Sequence, residues 1–200
     1  MLEDLTFKSF GLVNYHETMD LMRSHIKEKD FSNEIWLLEH PPIFTLGTAA
    51  DKKHILNVKD IPIVQSDRGG EVTYHGPGQL VIYFLLDIKK LEFSPNKLVS
   101  TIQNFVKDLL HELSIECNFI KGAPGVYVDK KKIASIGLRI SKGKSYHGIS
   151  LNFDMDLSPF KQINPCGYEG LEVVQIKDLN KDISKLQLEK LVIDLLRKIF

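Results

Sequence analysis

The feature that most constrains this chain is the run Leu80-Val81-Ile82-Tyr83-Phe84-Leu85-Leu86. Seven successive apolar residues, rich in β-formers and with no alternation, define a strand buried on both faces. Other segments supply what can cover it. Asn14 followed by Glu17 resembles a capping arrangement, and Tyr15, Met19, Met22 and Ile26 recur at helical spacing. Ser94 and Pro95 open a second helix whose Leu98, Ile102, Phe105, Leu109 and Leu113 form one stripe, expected to lie on the sheet. Ser184 caps a closing helix through Leu188, Leu191, Leu195 and Ile199. Strands are expected at Glu34 to Leu38 and Ile43 to Leu46, separated by Pro41 and Pro42, and a meander at Val126 to Val128, Ile133 to Ile140 and Tyr146 to Phe153. The spans Arg68 to Gly78 and Asp154 to Gly170 read as long connections, where binding and catalytic groups concentrate.

The 200 residues, 43% apolar and without low-complexity stretches, are expected to form one domain over 1–200. Lysine plus arginine total 26 and aspartate plus glutamate 26, so the average field draws the chain to neither nucleic acid nor anionic membrane. No apolar run reaches the roughly 18 residues of a membrane span, and the start MLEDLTFKSF is acidic where a targeting peptide is basic. The expectation is a cytoplasmic protein. Seven histidines show no metal-ligand spacing, so no metal is expected.

Chemistry concentrates in two places. Arg68-Gly69-Gly70-Glu71-Val72-Thr73-Tyr74-His75-Gly76-Pro77-Gly78-Gln79 holds four glycines, a cation and a histidine before the buried strand. Such a loop brings backbone amides close to a carbonyl oxygen or oxyanion, although composition alone equally describes a tight surface turn. The spacing is not GxxxxGK[ST], and a strand follows where a phosphate loop has a helix. His75 is read as a binding residue.

The second place is Cys166, between Pro165 and Gly167 in a non-periodic segment. Cys117 follows a helix into a strand and reads as inert packing. With two cysteines and no CxxC pair, neither a disulfide framework nor zinc is indicated. A free thiol, with ordinary pKa near ~8.5, is only a few per cent thiolate at neutral pH, so a nucleophilic cysteine needs a positive neighbour. A cation ~4 Å away contributes at most ~4 kcal/mol at an effective dielectric near 20. Lys132 opens an apolar strand and is a candidate, but Lys130 and Lys131 stand beside it, and a lysine run also describes a solvated turn. Residue chemistry does not choose among the three.

Five motifs in order, His40-Pro41-Pro42-Ile43-Phe44-Thr45-Leu46-Gly47, Arg68 to Gln79, Lys132-Ile133-Ala134-Ser135-Ile136-Gly137, His147-Gly148-Ile149-Ser150-Leu151-Asn152 and Asn164-Pro165-Cys166-Gly167, resemble the lipoyl(octanoyl) transferase family across nearly the whole chain. The resemblance implies an α/β fold, a mixed sheet flanked by helices similar to the biotin and lipoate protein ligase catalytic domain. It implies transfer of octanoyl from octanoyl-acyl carrier protein to a lysine on the lipoyl domain of 2-oxoacid dehydrogenase subunits or the glycine-cleavage H protein. It assigns Cys166 as the acyl thioester and Lys132 as its partner. Arg68, Gly69, Gly70, Glu71, Val72, Thr73, Tyr74, His75, Ser135, Ile136, Gly137, Gly148, Ile149 and Ser150 are implied to line the substrate site. The oxyanion donors are sought among amides near Gly76 to Gly78 or near Cys166. Thioester-to-amide exchange is downhill, so no cofactor is expected. Two departures from the family pattern are Ser150, where alanine is usual, and Leu171 to Gln175. Competing readings are an ATP-dependent lipoate ligase and an inactive carrier-binding module. Lys89, Lys90, Lys130, Lys131, Lys142 and Lys144 are further expected to offer a basic face to an acidic carrier.

Overall fold

A computed structural model describes residues 5–200; the acidic start, residues 1–4, lies outside the described residues. Its centre is strand β6 (Gln79–Leu85), buried at every position. Alternation sends Leu80, Ile82 and Phe84 into one apolar cluster and Val81, Tyr83 and Leu85 into another. The unbroken apolar run is thus explained: both faces of this strand need oil, and no position can be spared for water.

Around β6 runs a seven-stranded sheet. With β1 (Thr6–Leu12), β2 (Glu34–Glu39), β7 (Asn118–Ile120), β8 (Ala123–Val128), β9 (Lys131–Ser141) and β10 (Lys144–Asn152), the order is β1-β2-β6-β10-β9-β8-β7. β1 pairs parallel to β2 and every other pairing is antiparallel, giving a mixed sheet. The expected meander is β8-β9-β10. Helices α2 (Pro95–Glu112) and α4 (Lys185–Ile199) cover one face with Leu98, Ile102, Phe105, Leu109, Leu188, Val192 and Leu196. Helix α1 (Tyr15–His25) places Tyr15, Met19 and Met22 on the other. The three caps lie where the sequence signals them: Asn14, Ser94, and Ser184 in a capping box with Gln187. A four-residue helix, α3 (Ile176–Leu179), leads into α4.

The expected strand pair around Pro41 and Pro42 divides between two sheets. β2 belongs to the large sheet, while β3 (Ile43–Leu46) joins a small one with β4 (Ile63–Gln65) and β5 (Val72–His75), in the order β4-β3-β5. Two prolines in succession withhold two ladder donors, so pairing stops and the chain leaves the large sheet there. β5 also corrects the reading of Arg68 to Gly78 as one long connection. Val72 and Tyr74 point into the core of the small sheet with Phe44, Leu46, Met155 and Phe160. Thr73 and His75 point the other way, a period of two hidden among the glycines.

The six lysines do not make one basic face. Lys131 opens β9 with Lys130 just before it, and Lys142 lies just beyond its end, about 36 Å from Lys131 along the strand at ~3.3 Å per residue. Lys131 is paired with Glu172, and Lys144 donates to Ile26 O and Glu28 O and covers the Phe31 ring.

Candidate active site

Lys132 is 1% exposed, so its ammonium lies inside the protein. Its main chain is fixed from the segment after the cysteine: Lys132 N donates to Glu172 O, and Val174 N donates to Lys132 O. The variable stretch Leu171 to Gln175 therefore clamps this lysine. Nζ donates to Pro124 O at 2.8 Å, lies 5.3 Å from the Tyr127 ring centre, and reaches Cys166 Sγ at 2.6 Å. Gly125 makes room for the stem, since a Cβ there would stand 2.6 Å from Lys132 Cε, at a φ of +139°. Lys130 and Lys131 are exposed, which answers the question the lysine run leaves open: Lys132 is the one that reaches the thiol.

Cys166 sits in the short turn Pro165–Gly167 with φ 57° and ψ 24°, left-handed geometry that costs a non-glycine residue ~1–3 kcal/mol. The turn packs against β5. Burial raises the Cys117 thiol, and that residue belongs to the periphery of the main core, away from this site.

The thiol opens on a cavity of about 210 Å³. Of the positions named from sequence, Arg68, Gly70, Glu71, Thr73, His75, Ser135, Ile136, Gly137, Gly148, Ile149, Ser150 and Cys166 line it. Gly69, Val72 and Tyr74 do not: Gly69 N is spent on Leu138 O, and the other two face the small sheet's core. The Gly76 to Gly78 turn is also excluded as an oxyanion site, because Gly78 N donates to Glu39 Oε2 at 2.6 Å and none of the three glycine-proline-glycine positions borders the cavity. Gly167 N and Tyr168 N are likewise engaged, by Asn164 O and Pro165 O. Lining residues not anticipated are Tyr15, Val81, Tyr83, Gly122, Pro124, His147 and Tyr168. Tyr15 reads from sequence as ordinary helix core, whereas His147 lies within a quoted motif, beside Gly148.

Arg68 is the second buried cation. Its Nε and Nη2 donate to Thr45 Oγ1 at 3.1 and 2.8 Å, and its other donors reach Thr45 O, Glu71 O and Gly69 O. All its acceptors are neutral. Among the described residues no carboxylate pairs with Arg68 or Lys132.

The histidines supply no charge here. Burial pushes His40 down to about 4, and burial likewise lowers His75, far below its ordinary value, and His147. Their hydrogen bonds fix the tautomers. Gln79 Nε2 donates to Tyr74 O and Asn152 Oδ1, so its Oε1 accepts from His75 Nδ1–H at 2.7 Å. His75 Nε2 then accepts from the Thr45 hydroxyl at 3.3 Å, leaving the Thr45 oxygen's lone pairs turned to Arg68. His75 thus orients the arginine through Thr45.

Burial alone would raise the Asp67 carboxyl. Hydrogen bonds from His147 Nε2 and Tyr146 OH, each 2.8 Å, outweigh burial together with Arg23 and hold it well below the usual carboxylate range. A carboxyl depressed on folding contributes stability that is present above its unfolded value, 3.8, and lost as pH falls toward the folded one. The thermal midpoint is therefore expected to fall as pH drops below about 4, and Asp67→Asn to flatten that part of the profile. A slope unchanged in Asp67→Asn would remove Asp67 from this account.

A mixed sheet with helices on both faces, a small side sheet, and a part-buried cysteine–lysine contact at the edge of the cavity between them define the class. The family profile described as Lipoyl protein ligase A/B catalytic domain matches residues 14–198, and the chain belongs to that family. Within the family its relatives are octanoyltransferases: one from Marinomonas sp. (strain MWYL1) is 52% identical over 182 residues, 90% of this chain and 85% of that protein, and one from Hahella chejuensis (strain KCTC 2396) is 50% identical over 92% and 83%. Solved structures carry the same fold at low identity. A putative lipoate protein ligase from T. acidophilum superposes with a TM-score of 0.75 at 15% identity, over 100% of this chain and 85% of that one. A biotin protein ligase from Aquifex aeolicus does so at 0.57 and 17%, over 100% and 69%. Among the described residues no helix is long and apolar enough to cross a membrane, and no cluster of histidine, cysteine and acidic groups has metal-site geometry.

Proposed function

We propose that this protein moves an octanoyl group from the thioester of an acyl carrier protein to the ε-amine of a lipoyl-domain lysine, through an acyl thioester on Cys166. The observation that carries the reading is the 2.6 Å contact between the buried Lys132 ammonium and the half-buried Cys166 sulfur, on a cavity that a second buried cation, Arg68, also lines. One buried cation against the sulfur and another, Arg68, lining the cavity favour anions there, first a thiolate and then the oxyanion of a tetrahedral intermediate. The cavity is small beside the ~300–1,000 Å³ of sites for drug-sized ligands, which suits an acyl chain better than an acyl nucleotide.

In the first half-reaction the Cys166 thiolate attacks the thioester carbon, the bond to the carrier sulfur breaks, and that sulfur leaves with a proton from Lys132. The products are acyl-Cys166, free carrier thiol and neutral Lys132. In the second, the acceptor amine attacks the new thioester and gives its proton to Lys132, while Cys166 leaves as thiolate beside the restored ammonium. No proton or electron is left over, and each half-reaction returns what the other needs. The 2-oxoacid dehydrogenase lipoyl domains and the glycine-cleavage H protein are the acceptors this reading names.

The test is intact-mass analysis after mixing the protein with octanoyl-carrier alone. An octanoyl adduct that maps to Cys166 and disappears on adding apo-lipoyl domain is expected. Transfer that requires ATP and free octanoate, with no such adduct, would replace this reading with that of a ligase.

A further inference from the structure

The contact between Lys132 and Cys166 holds together two groups that can bond to one another directly. Nζ stands 2.6 Å from Sγ, and both sides of the contact are fixed in place. Pro124 O accepts from the ammonium at 2.8 Å, Glu172 and Val174 clamp the lysine main chain, and the residue is 1% exposed. Cys166 is set in its left-handed turn, where Gly167 N donates to Asn164 O and Tyr168 N to Pro165 O. The sulfur's residue is nevertheless only half-buried and lines a cavity of about 210 Å³, so a molecule little larger than water can reach it.

A thiol oxidised by a peroxide becomes a sulfenic acid, whose fate depends on what stands next to it. A second thiol gives a disulfide, a backbone nitrogen a cyclic sulfenamide, and a second peroxide the irreversible sulfinic acid. The fold withholds the first two. Cys117, the other cysteine, belongs to the periphery of the main core, and the backbone nitrogen after Cys166 is engaged within its own turn. What remains is a side-chain amine in contact with the sulfur. We infer that Cys166 and Lys132 form a reversible sulfur–nitrogen bridge when the protein meets hydrogen peroxide, a covalent modification that spares the sulfur from sulfinic acid. The inference rests on the contact itself and not on the acyl-transfer reading.

Two steps complete the bridge. Starting from thiolate and ammonium, the sulfur attacks one peroxide oxygen, the O–O bond breaks, and the hydroxide that leaves takes a proton from Lys132 to become water. The sulfur has given two electrons to the peroxide, and a sulfenic acid now faces a neutral amine. That amine attacks the sulfur, the S–O bond breaks, and the departing hydroxide takes one of the amine's protons to become a second water. Because the nitrogen is already held against the sulfur, this step outruns a second peroxide arriving from dilute solution. A small thiol reverses the bridge: its sulfur bonds to Cys166, the S–N bond breaks, and the amine leaves with the thiol's proton. A second thiol then releases Cys166 as the free thiol, and the two small thiols carry the two electrons lost as their own disulfide.

The test is intact-mass and peptide analysis of the full chain after brief exposure to hydrogen peroxide, with remaining thiols capped by N-ethylmaleimide before digestion. The expected product is lighter by two hydrogen atoms, carries Cys166 and Lys132 in one cross-linked peptide, and returns to its starting mass with dithiothreitol. A disulfide between Cys117 and Cys166 would have the same mass, so Cys117→Ser is treated in parallel and is expected to form the bridge as the wild type does. In Lys132→Met, sulfinic acid on Cys166 is expected to accumulate about tenfold or more faster, because no held amine competes with the second peroxide. The cross-linked peptide is sought in the wild-type chain, so it decides the matter even where that variant fails to fold. Three results would each overturn the inference: Cys166 carrying added oxygen with no link to Lys132, loss of the lighter species in Cys117→Ser, or a Cys166 left unoxidised at doses that oxidise a free cysteine peptide in the same tube. No carrier or acceptor is present in this experiment, so its outcome is separate from that of the octanoyl adduct on Cys166.

Discussion

Cys166→Ser is expected to lower single-turnover transfer of octanoyl to a lipoyl domain by at least about 10⁴-fold, with no octanoyl adduct detectable by intact mass. The substitution changes one atom. Serine tolerates the same left-handed backbone as cysteine, and its hydroxyl can still accept from Lys132 Nζ, so the fold and the ammonium should both remain. What the proposed mechanism loses is its anion: a hydroxyl stays protonated where that mechanism needs a thiolate, and a neutral hydroxyl attacks a thioester poorly. An unchanged thermal midpoint together with the lost activity is the expected pair of results. Activity within about tenfold of wild type would show that the sulfur is not the nucleophile.

Lys132→Met separates charge from volume. Methionine fills most of the lysine's space among Pro124, Gly125 and Tyr127 but carries no proton to give the departing thiol or to take back from the acceptor amine. A drop of about 10²–10⁴-fold in transfer is expected, the usual scale for a positioned acid–base group. The alkylation rate of Cys166 by iodoacetamide at pH 7 should fall with it, because alkylation reads the thiolate. Stability should be unchanged or higher, since a buried charge without a carboxylate partner is costly to keep and its replacement by an apolar side chain removes that cost. A purely structural lysine predicts the reverse pattern, lower stability and undiminished alkylation.

These two variants also mark how the sequence could and could not be read. Cys166 stands out in the sequence as a candidate nucleophile because a thiol between proline and glycine, outside every periodic segment, has no packing role to explain it. Lys132 is not separable from Lys130 and Lys131 by residue chemistry; only the ordered likeness of five motifs points to it. In the folded chain the reason is simple. Asp129 and Lys130 turn the hairpin, Lys131 faces Glu172, and the alternation of β9 then sends Lys132 inward. A one-residue change of register would exchange the roles of Lys131 and Lys132, and register is a property of the whole sheet.

The rest of the cavity divides along the same line. Local patterning alone determined the elements with the strongest apolar signals: the doubly buried β6, the three capped helices, and the meander that carries Lys132 and Ser150. These need only the next few residues to specify them, because cap, stripe and alternation are short-range devices. Tertiary structure alone decided that Val72 and Tyr74 turn away while Thr73 and His75 face the thiol. It also decided that Gly78 serves Glu39 and no oxyanion, and that His147 gives one ring nitrogen to Asp67. The physical reason is that each of those outcomes depends on which group from a distant segment arrives to accept or donate. Asp67 for His147, Thr45 for His75 and Arg68, and Glu39 for Gly78 all come from elsewhere in the chain, and nothing in the local sequence announces them.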